Sequence, residues 1–110
     1  MANPLKGTVV VVPFPFSDLT QSKRRPALVV ANLPGDDLVL CQITSQDRGD
    51  ADALPLAQSD FAGGGLHRAS FVRPGRLFTA DRALVLSVAG TLKQEAMGGV
   101  TARLVEILTR

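Results

Sequence analysis

Four consecutive valines at residues 9–12 constrain the fold more than any other part of this sequence. β-Branched side chains favour extended backbone, and the run is too short to form a helix. Pro13 and Pro15 follow it, and a proline cannot donate a hydrogen bond within a sheet. We therefore predict a first core strand over residues 7–16, buried on both faces.

The next two apolar segments predict an antiparallel hairpin. Residues 26–32 and 38–44 are rich in Val and Leu, and the turn-forming residues 34–37 separate them. The polar residues 17–25 show no periodicity and predict an exposed loop. Three strands joined in this way predict a meander.

The second half of the chain predicts shorter strands and one helix. Three consecutive glycines at 63–65 cannot hold a regular element, so residues 58–66 are interpreted as a mobile connector. From residue 93 onward apolar residues recur at helical spacing, and Thr91 with Gln94 forms a capping-box pattern. This pattern predicts a C-terminal amphipathic helix. The remaining strands are predicted at residues 53–56, 69–72, 77–79 and 84–89, with a break at Pro74-Gly75.

Composition indicates a single folded domain over residues 1–110. Hydrophobic residues make up 45% of the chain and charged residues 20%, a balance that excludes disorder over most of its length. No signal peptide is recognised, and no apolar stretch approaches the roughly 20 residues of a membrane-spanning helix, so a cytoplasmic location is expected. Cys41 lies in an apolar run and is interpreted as a small buried hydrophobe in a reducing compartment.

The remaining chemistry-bearing residues exclude several classes of site. One histidine and one cysteine, far apart in sequence, form no zinc or iron pattern, and no glycine-rich loop has the lysine and spacing of a phosphate-binding loop. No metal or cofactor is therefore expected, and His67 is interpreted as a surface histidine. Positive charge is concentrated at residues 23–25 and 68–82, which permits a nucleic-acid or acidic-peptide partner.

Four segments, taken in order, resemble the MazF/PemK family of toxin ribonucleases. They are VPFPFSD at residues 12–18, RRPALVV at 24–30, QITS at 42–45 and VRPGRLFTAD at 72–81. The resemblance implies a mainly β fold, a small SH3-like antiparallel barrel (CcdB/PemK-like) with a C-terminal α-helix and a short connector helix. It also implies a homodimeric, metal-independent endoribonuclease that cuts single-stranded RNA, often mRNA, at short sequences. Such an enzyme is the toxin of a toxin-antitoxin pair, blocked by a cognate antitoxin protein.

The resemblance further implies two catalytic positions, Arg25 before the proline of the second strand and Thr44 at the end of the third. A planar guanidinium suits a phosphate better than a lysine, and a residue before proline is held extended, which gives its side chain a defined direction. A threonine hydroxyl can add a hydrogen bond to the same phosphate. The RNA-binding candidates are Phe16, Ser17, Lys23, Arg24, Ser45, Arg73 and Arg76.

The sequence does not assign a proton acceptor for this reaction. Arginine stays protonated at ordinary pH. Some branches of the family use an aspartate in the strand around residues 72–77, where this chain has Arg73-Pro74-Gly75-Arg76 and no carboxylate. Two alternatives stay open: a non-catalytic SH3-like module that binds nucleic acid or a peptide, and a toxin of the same fold that acts on a protein target.

Overall fold

The structure, a computed structural model, describes residues 4–15 and 22–110. These residues form a mainly β domain with a C-terminal helix. In chain order the described elements are β1 (Thr8–Pro15), β2 (Ser22–Asn32), β3 (Asp37–Thr44), β4 (Leu54–Leu56), a 3₁₀ helix (Gln58–Asp60), β5 (Phe61–Gly64), β6 (Ser70–Asp81), a second 3₁₀ helix (Arg82–Leu84), β7 (Ser87–Leu92) and α1 (Gln94–Thr109).

All described strands belong to one antiparallel sheet in the order β4-β6-β3-β2-β1-β7-β5. The sheet curls into a half-barrel, as the sequence predicts for a small antiparallel barrel closed by a helix. The meander of the first three strands is confirmed, since β2 lies between β1 and β3. The predicted short connector helix corresponds to the first 3₁₀ helix, one turn at Gln58–Asp60.

The central strands are buried on both faces, which explains their nearly continuous apolar sequences. Alternate residues of a strand point to opposite faces, and the valine run follows this rule. Val9 packs in a core cluster with Met97 and Val100 of α1. Val10 and Val12 pack in a second cluster on the other face. Helix α1 therefore covers one face of the sheet only.

Strand β2 begins at Ser22, four residues before the predicted start at residue 26. The prediction of an exposed loop is wrong for residues 22–25, and the rest of that predicted loop lies outside the described residues. Arg24 and Arg25 pair with Pro13 and Val12 of β1. Backbone pairing with a neighbouring strand outweighs the low strand propensity of these charged residues.

The triple-glycine segment is not an irregular connector, as it was interpreted to be. Residues Phe61–Gly64 form β5 and pair with β7. Gly64 has a φ of 70°, and a Cβ atom there would clash with the backbone carbonyl oxygen of Ala89. Glycine is needed here because the two strands approach each other closely.

Strand β6 continues through the predicted break. Cys41 pairs with Leu77 and the next residue, Gln42, pairs with Arg73, so residues 74–76 bulge out of the ladder. A bulge accommodates Pro74, which has no N–H to donate. The last strand, β7, starts at Ser87 rather than at residue 84 because a 3₁₀ turn precedes it.

Helix α1 confirms the predicted C-terminal helix, but its start differs from the predicted capping box. Lys93 is the N-cap residue and makes no side-chain cap, while Thr91 belongs to β7 and pairs with Thr8. The helix buries Met97 and Val100 against the sheet. Among the described residues, no helix combines the length and apolarity needed to cross a membrane.

Candidate active site

The position of Arg25 follows from its place between two strands. On one side it pairs with Val12 of β1. On the other side the β2–β3 ladder ends with Ala27 opposite Gln42. Arg25 and Thr44 each lie two residues beyond this last pair, on the two neighbouring strands. The two residues carried over from the family motif therefore come from the same end of the β2–β3 hairpin.

Thr44 ends β3 and its hydroxyl has a defined orientation. The backbone N–H of Gln46 donates to Thr44 Oγ1 at 3.2 Å. A hydroxyl that accepts one hydrogen bond still has its own O–H to donate. Because the side chain is only half-buried, this O–H can reach a molecule bound at the end of the strand.

Arg25 and Thr44 line one groove of about 190 Å³. That volume is roughly six times the share of one water molecule in the liquid, enough for a phosphodiester group. The groove is built by the ends of β2 and β3, the segment between β5 and β6, and the start of β6. Its polar lining consists of Arg25, Thr44, Ser45, His67, Arg68 and Ser70, and its apolar lining of Pro26, Ile43 and Leu66.

The segment between β5 and β6, which carries His67 and Arg68, is held at both ends. At one end the N–H of Gly65 donates to the carbonyl oxygen of Ala89 at 3.0 Å. At the other end the buried Ser70 donates from its hydroxyl to the carbonyl oxygen of Arg68 at 3.0 Å. Leu66 packs against the core cluster that contains Val9. The glycine run just before His67 predicts a mobile connector, but the segment that follows it is hydrogen bonded to the sheet.

His67, Arg68 and Ser70 are the polar groove residues that sequence reasoning did not select. His67 is exposed, as predicted for a surface histidine, yet it lines the same groove as Arg25. The one available signal was the single histidine next to a basic segment. No sequence pattern relates residues 67 and 68 to residue 25, because their proximity comes from the pairing of distant strands.

The groove is electrostatically suited to an anion. Among the described residues, its lining includes the guanidinium groups of Arg25 and Arg68 and no carboxylate. The hydroxyl groups of Thr44 and Ser45 add possible hydrogen-bond donors, whereas that of Ser70 already donates to Arg68. Charge-assisted bonds from guanidinium to phosphate are among the stronger hydrogen bonds in proteins. The arrangement can therefore hold a phosphate and stabilise additional negative charge on its oxygens.

Of the other predicted RNA-binding residues, some line the groove and others lie away from it. Ser45 lines the groove with Thr44. Lys23 and Arg24 are exposed on β2 beyond the lining of the groove. Phe16 and Ser17 lie outside the described residues.

Arg73 is engaged in an ion pair away from the groove lining. Its Nε atom lies 2.9 Å from Oδ2 of Asp50, and the two side chains are only 18% and 16% exposed. The hydrogen bond from Arg73, with a further backbone hydrogen bond from Asp52, lowers the pKa of Asp50 below its ordinary value. This contact neutralises much of the charge that Arg73 could offer to a phosphate.

Arg76 lines a second depression, of about 260 Å³, at the bulge of β6. Phe14 and Phe78 line it as well, with ring centroids 5.4 Å apart and planes tilted by 41°. Both rings are half-buried and Arg76 is exposed. A cation beside aromatic rings suits a nucleobase and its phosphate, because bases stack on aromatic faces.

Cys41 is not a nucleophile of this site. It is fully buried, and burial raises the pKa of its thiol to about 12. A thiol with such a pKa carries almost no thiolate at neutral pH. The interpretation of Cys41 as a buried hydrophobe is confirmed. In the part of the chain that the structure describes, no three His, Cys, Asp or Glu residues group together as ligands for a metal ion.

Three solved structures with the same fold are distant in sequence. MazF from Deinococcus radiodurans superposes with a TM-score of 0.77 at 22% identity, covering 100% of both chains. A MazE-MazF complex from the same organism gives a TM-score of 0.78 at 21% identity, covering 98% of this chain and 97% of that one. An endoribonuclease from a Mycobacterial species, in complex with its cognate antitoxin, gives 0.74 at 18% identity, with coverage of 98% and 95%. At these identities the likeness shows the fold.

Comparisons of the sequence itself identify the family more specifically than the shared fold does. A search among curated protein sequences found no match. The family described as PemK-like, MazF-like toxins of type II toxin-antitoxin systems matches residues 5–108, nearly the whole chain and all four motif segments. The chain therefore belongs to the PemK-like, MazF-like family of type II toxins.

Proposed function

We propose that this chain is an endoribonuclease that cuts single-stranded RNA at short sequences and acts as the toxin of a toxin-antitoxin pair. The observation that carries the proposal is the groove that Arg25 and Thr44 line together, with no carboxylate beside them in the part of the chain that the structure describes. Family membership supports it. So does the fold that the chain shares with an endoribonuclease.

In this mechanism the ribose 2′-hydroxyl attacks the adjacent phosphate, so the RNA itself supplies the nucleophile. The guanidinium of Arg25 holds two phosphoryl oxygens and stabilises the charge that develops on them. The O–H of Thr44 donates to the same phosphate, held by its contact with Gln46. Arg68 adds a second positive charge. DNA lacks the 2′-hydroxyl and is not cut.

RNA outside the groove contacts the exposed cations of β2 and the depression at the bulge of β6. Lys23 and Arg24 bind backbone phosphates, and Arg76 binds next to the rings of Phe14 and Phe78. Phe16, Ser17 and Ser45 complete the proposed RNA surface. We assign the weakest contribution to Arg73 because of its ion pair with Asp50.

The other partners that we propose are a second copy of the chain and a cognate antitoxin, in the cytoplasm. An antitoxin with an acidic or disordered tail complements the basic groove around Arg25. The solved relatives in complex with MazE or with a cognate antitoxin support a partner of this kind.

The test is incubation of the purified protein with single-stranded RNA in the presence of EDTA. We expect discrete cuts that leave 2′,3′-cyclic phosphate or 3′-phosphate ends and 5′-hydroxyl ends, and we expect no cuts in DNA of the same sequence. Arg25→Ala should slow cleavage by at least about 100-fold, the typical effect of removing a group that stabilises transition-state charge. Sequencing the new ends gives the recognition sequence.

Arg48 provides a matched control, because it is an exposed arginine of the loop after β3 and does not line the groove. Arg48→Ala should cut at the wild-type rate. A folded wild-type protein that binds RNA without cutting it would support the non-catalytic module instead. Absence of both binding and cutting would favour a protein target.

A further inference from the structure

We propose that His67 is the general base of this chain, the group that takes the proton from the attacking 2′-hydroxyl. This inference rests on the proposed ribonuclease function and assigns the proton acceptor that the sequence leaves open. The imidazole touches the reacting ribose in this assignment, so His67 would be a catalytic residue.

The position of His67 supports this role. It is exposed to solvent and lines the same groove as Arg25 and Thr44. Hydrogen bonds at Gly65 and Ser70 hold its segment against the sheet. A base must lie within reach of the proton that it abstracts, and a phosphate held by Arg25 brings its neighbouring ribose into this groove.

The other groups of the groove cannot accept the proton near neutral pH. Arg25 and Arg68 carry guanidinium groups, a side-chain type with no acceptor site for a proton at ordinary pH. Thr44, Ser45 and Ser70 carry hydroxyls, which are far too weakly basic. Among residues 4–15 and 22–110, no carboxylate lines the groove. An imidazole is the side chain whose charge ordinarily changes between about pH 5 and pH 8.

The proposed cleavage step is a transesterification at phosphorus. The 2′-oxygen forms a bond to phosphorus while its proton passes to a nitrogen of neutral His67. The bond from phosphorus to the 5′-oxygen breaks, and solvent water protonates this leaving oxygen. The products are a 2′,3′-cyclic phosphate and a 5′-hydroxyl, after which His67 returns its proton to solvent. No atom is oxidised or reduced in this step.

The groups around His67 allow the pH dependence of the cleavage rate to be assigned to one residue. Among the described residues, the charged groups that face the groove are Arg25 from β2 and Arg68 from the same segment as His67. The facing polar groups from β3 and β6 are hydroxyls. His67 is also the only histidine of the chain.

The experiment compares wild-type protein, His67→Gln and His67→Ala in single-turnover cleavage between pH 5 and 9 in EDTA. The probe is a fluorescent RNA oligonucleotide that spans a cut site mapped on a longer transcript. The wild-type rate should rise with pH and then level off. His67→Gln should lower the rate by roughly 100- to 10,000-fold and abolish the rise, as expected for loss of a general base.

Two further measurements separate catalysis from structure. His67→Gln should bind the same oligonucleotide with a 2′-deoxy residue at the cut site as tightly as wild type does. Added imidazole should restore part of the activity of His67→Ala. A wild-type rate and pH profile in His67→Gln, together with an inactive Arg25→Ala, would overturn the assignment of His67 alone. A wild-type protein that does not cut RNA would overturn the proposed function.

Discussion

At the scale of single residues, one hydrogen bond orients the hydroxyl that we propose to be catalytic, that of Thr44. The backbone N–H of Gln46 occupies one acceptor position of the hydroxyl oxygen at 3.2 Å. The hydroxyl therefore points its own hydrogen elsewhere, and Arg25 stands on the neighbouring strand. A β-branched residue that is ordinary for a strand thus gains a second role at the point where the strand ends.

Thr44→Val tests this role because it removes the hydroxyl and keeps the shape of the side chain. We expect cleavage to fall by about 10- to 100-fold, the equivalent of one hydrogen bond to a charged group. Thr44→Ser, which keeps the hydroxyl, should cut within about fivefold of wild type, because a buried methyl group contributes roughly 0.8 kcal/mol. The measurement is the single-turnover rate on the mapped oligonucleotide. Equal rates for wild type and Thr44→Val would remove Thr44 from the mechanism.

At the scale of elements, the pairing of β5 with β7 determines where the segment with His67 begins. Gly64 has positive φ and lies so close to β7 that a methyl group would meet the backbone of Ala89 and Gly90. The neighbouring Gly63 has open space around its Cα atom. Two adjacent glycines therefore differ sharply in what they tolerate.

This difference gives a matched pair of variants. Gly64→Ala should lower the free energy of unfolding by roughly 1–3 kcal/mol, because alanine is strained at this φ and its methyl group meets backbone. Gly63→Ala should change it by less than about 0.5 kcal/mol. Urea unfolding followed by circular dichroism measures both. Similar unfolding free energies for the two variants would contradict the close approach of β5 and β7.

Some helices and strands could be predicted from the sequence and others could not. Strands β1 and β3 and helix α1 were predicted nearly correctly, because their apolar patterns match the period of the element. The start of β2 and all of β5 were missed. The start of β2 is polar and charged and half of β5 is glycine, so neither has the apolar pattern of a strand, and pairing with a neighbouring strand makes them extended.

The candidate site divides in the same way. The sequence selects Arg25 and Thr44 as candidates because each stands within a recognisable motif, and the structure places both on the lining of one groove. His67 and Arg68 could not, since their place at the groove depends on tertiary structure. The ion pair of Arg73 with Asp50, which is distant in sequence, likewise carries no sequence signal.

At the scale of the whole molecule, ion pairs fasten the loop after β3 to two other elements. Asp50 binds Arg73 of β6, and Asp52 binds the guanidinium of Arg110 at 2.9 and 3.2 Å. Arg103 of α1 adds a hydrogen bond to the carbonyl oxygen of Ala51 at 3.4 Å. The loop therefore connects the sheet with the helix that covers it.

The partly buried pair of Asp50 and Arg73 predicts a specific dependence of stability on pH. Because the pKa of Asp50 is lowered on folding, its contribution is complete above the unfolded value of about 3.9 and is lost as the pH falls through the lower folded value. Asp50→Asn should therefore destabilise the protein by roughly 1–2 kcal/mol at pH 7. The difference from wild type should shrink below about pH 4.

Urea unfolding of both proteins between pH 2 and 7 measures this difference. Asp37→Asn, which alters an exposed carboxylate at the start of β3, is the control and should follow the wild-type curve. A difference between wild type and Asp50→Asn that stayed constant down to pH 2 would show that the ion pair is not its source.

The pairing of β1 with β7 also has a consequence for biosynthesis. Thr8 near the beginning of the chain pairs with Thr91 near its end, and the core under the groove needs Met97 and Val100 of α1. A growing chain on the ribosome has to be almost finished before β1 finds this partner. If the proposed function is right, an incomplete chain is therefore unable to cleave the messenger from which it is being translated.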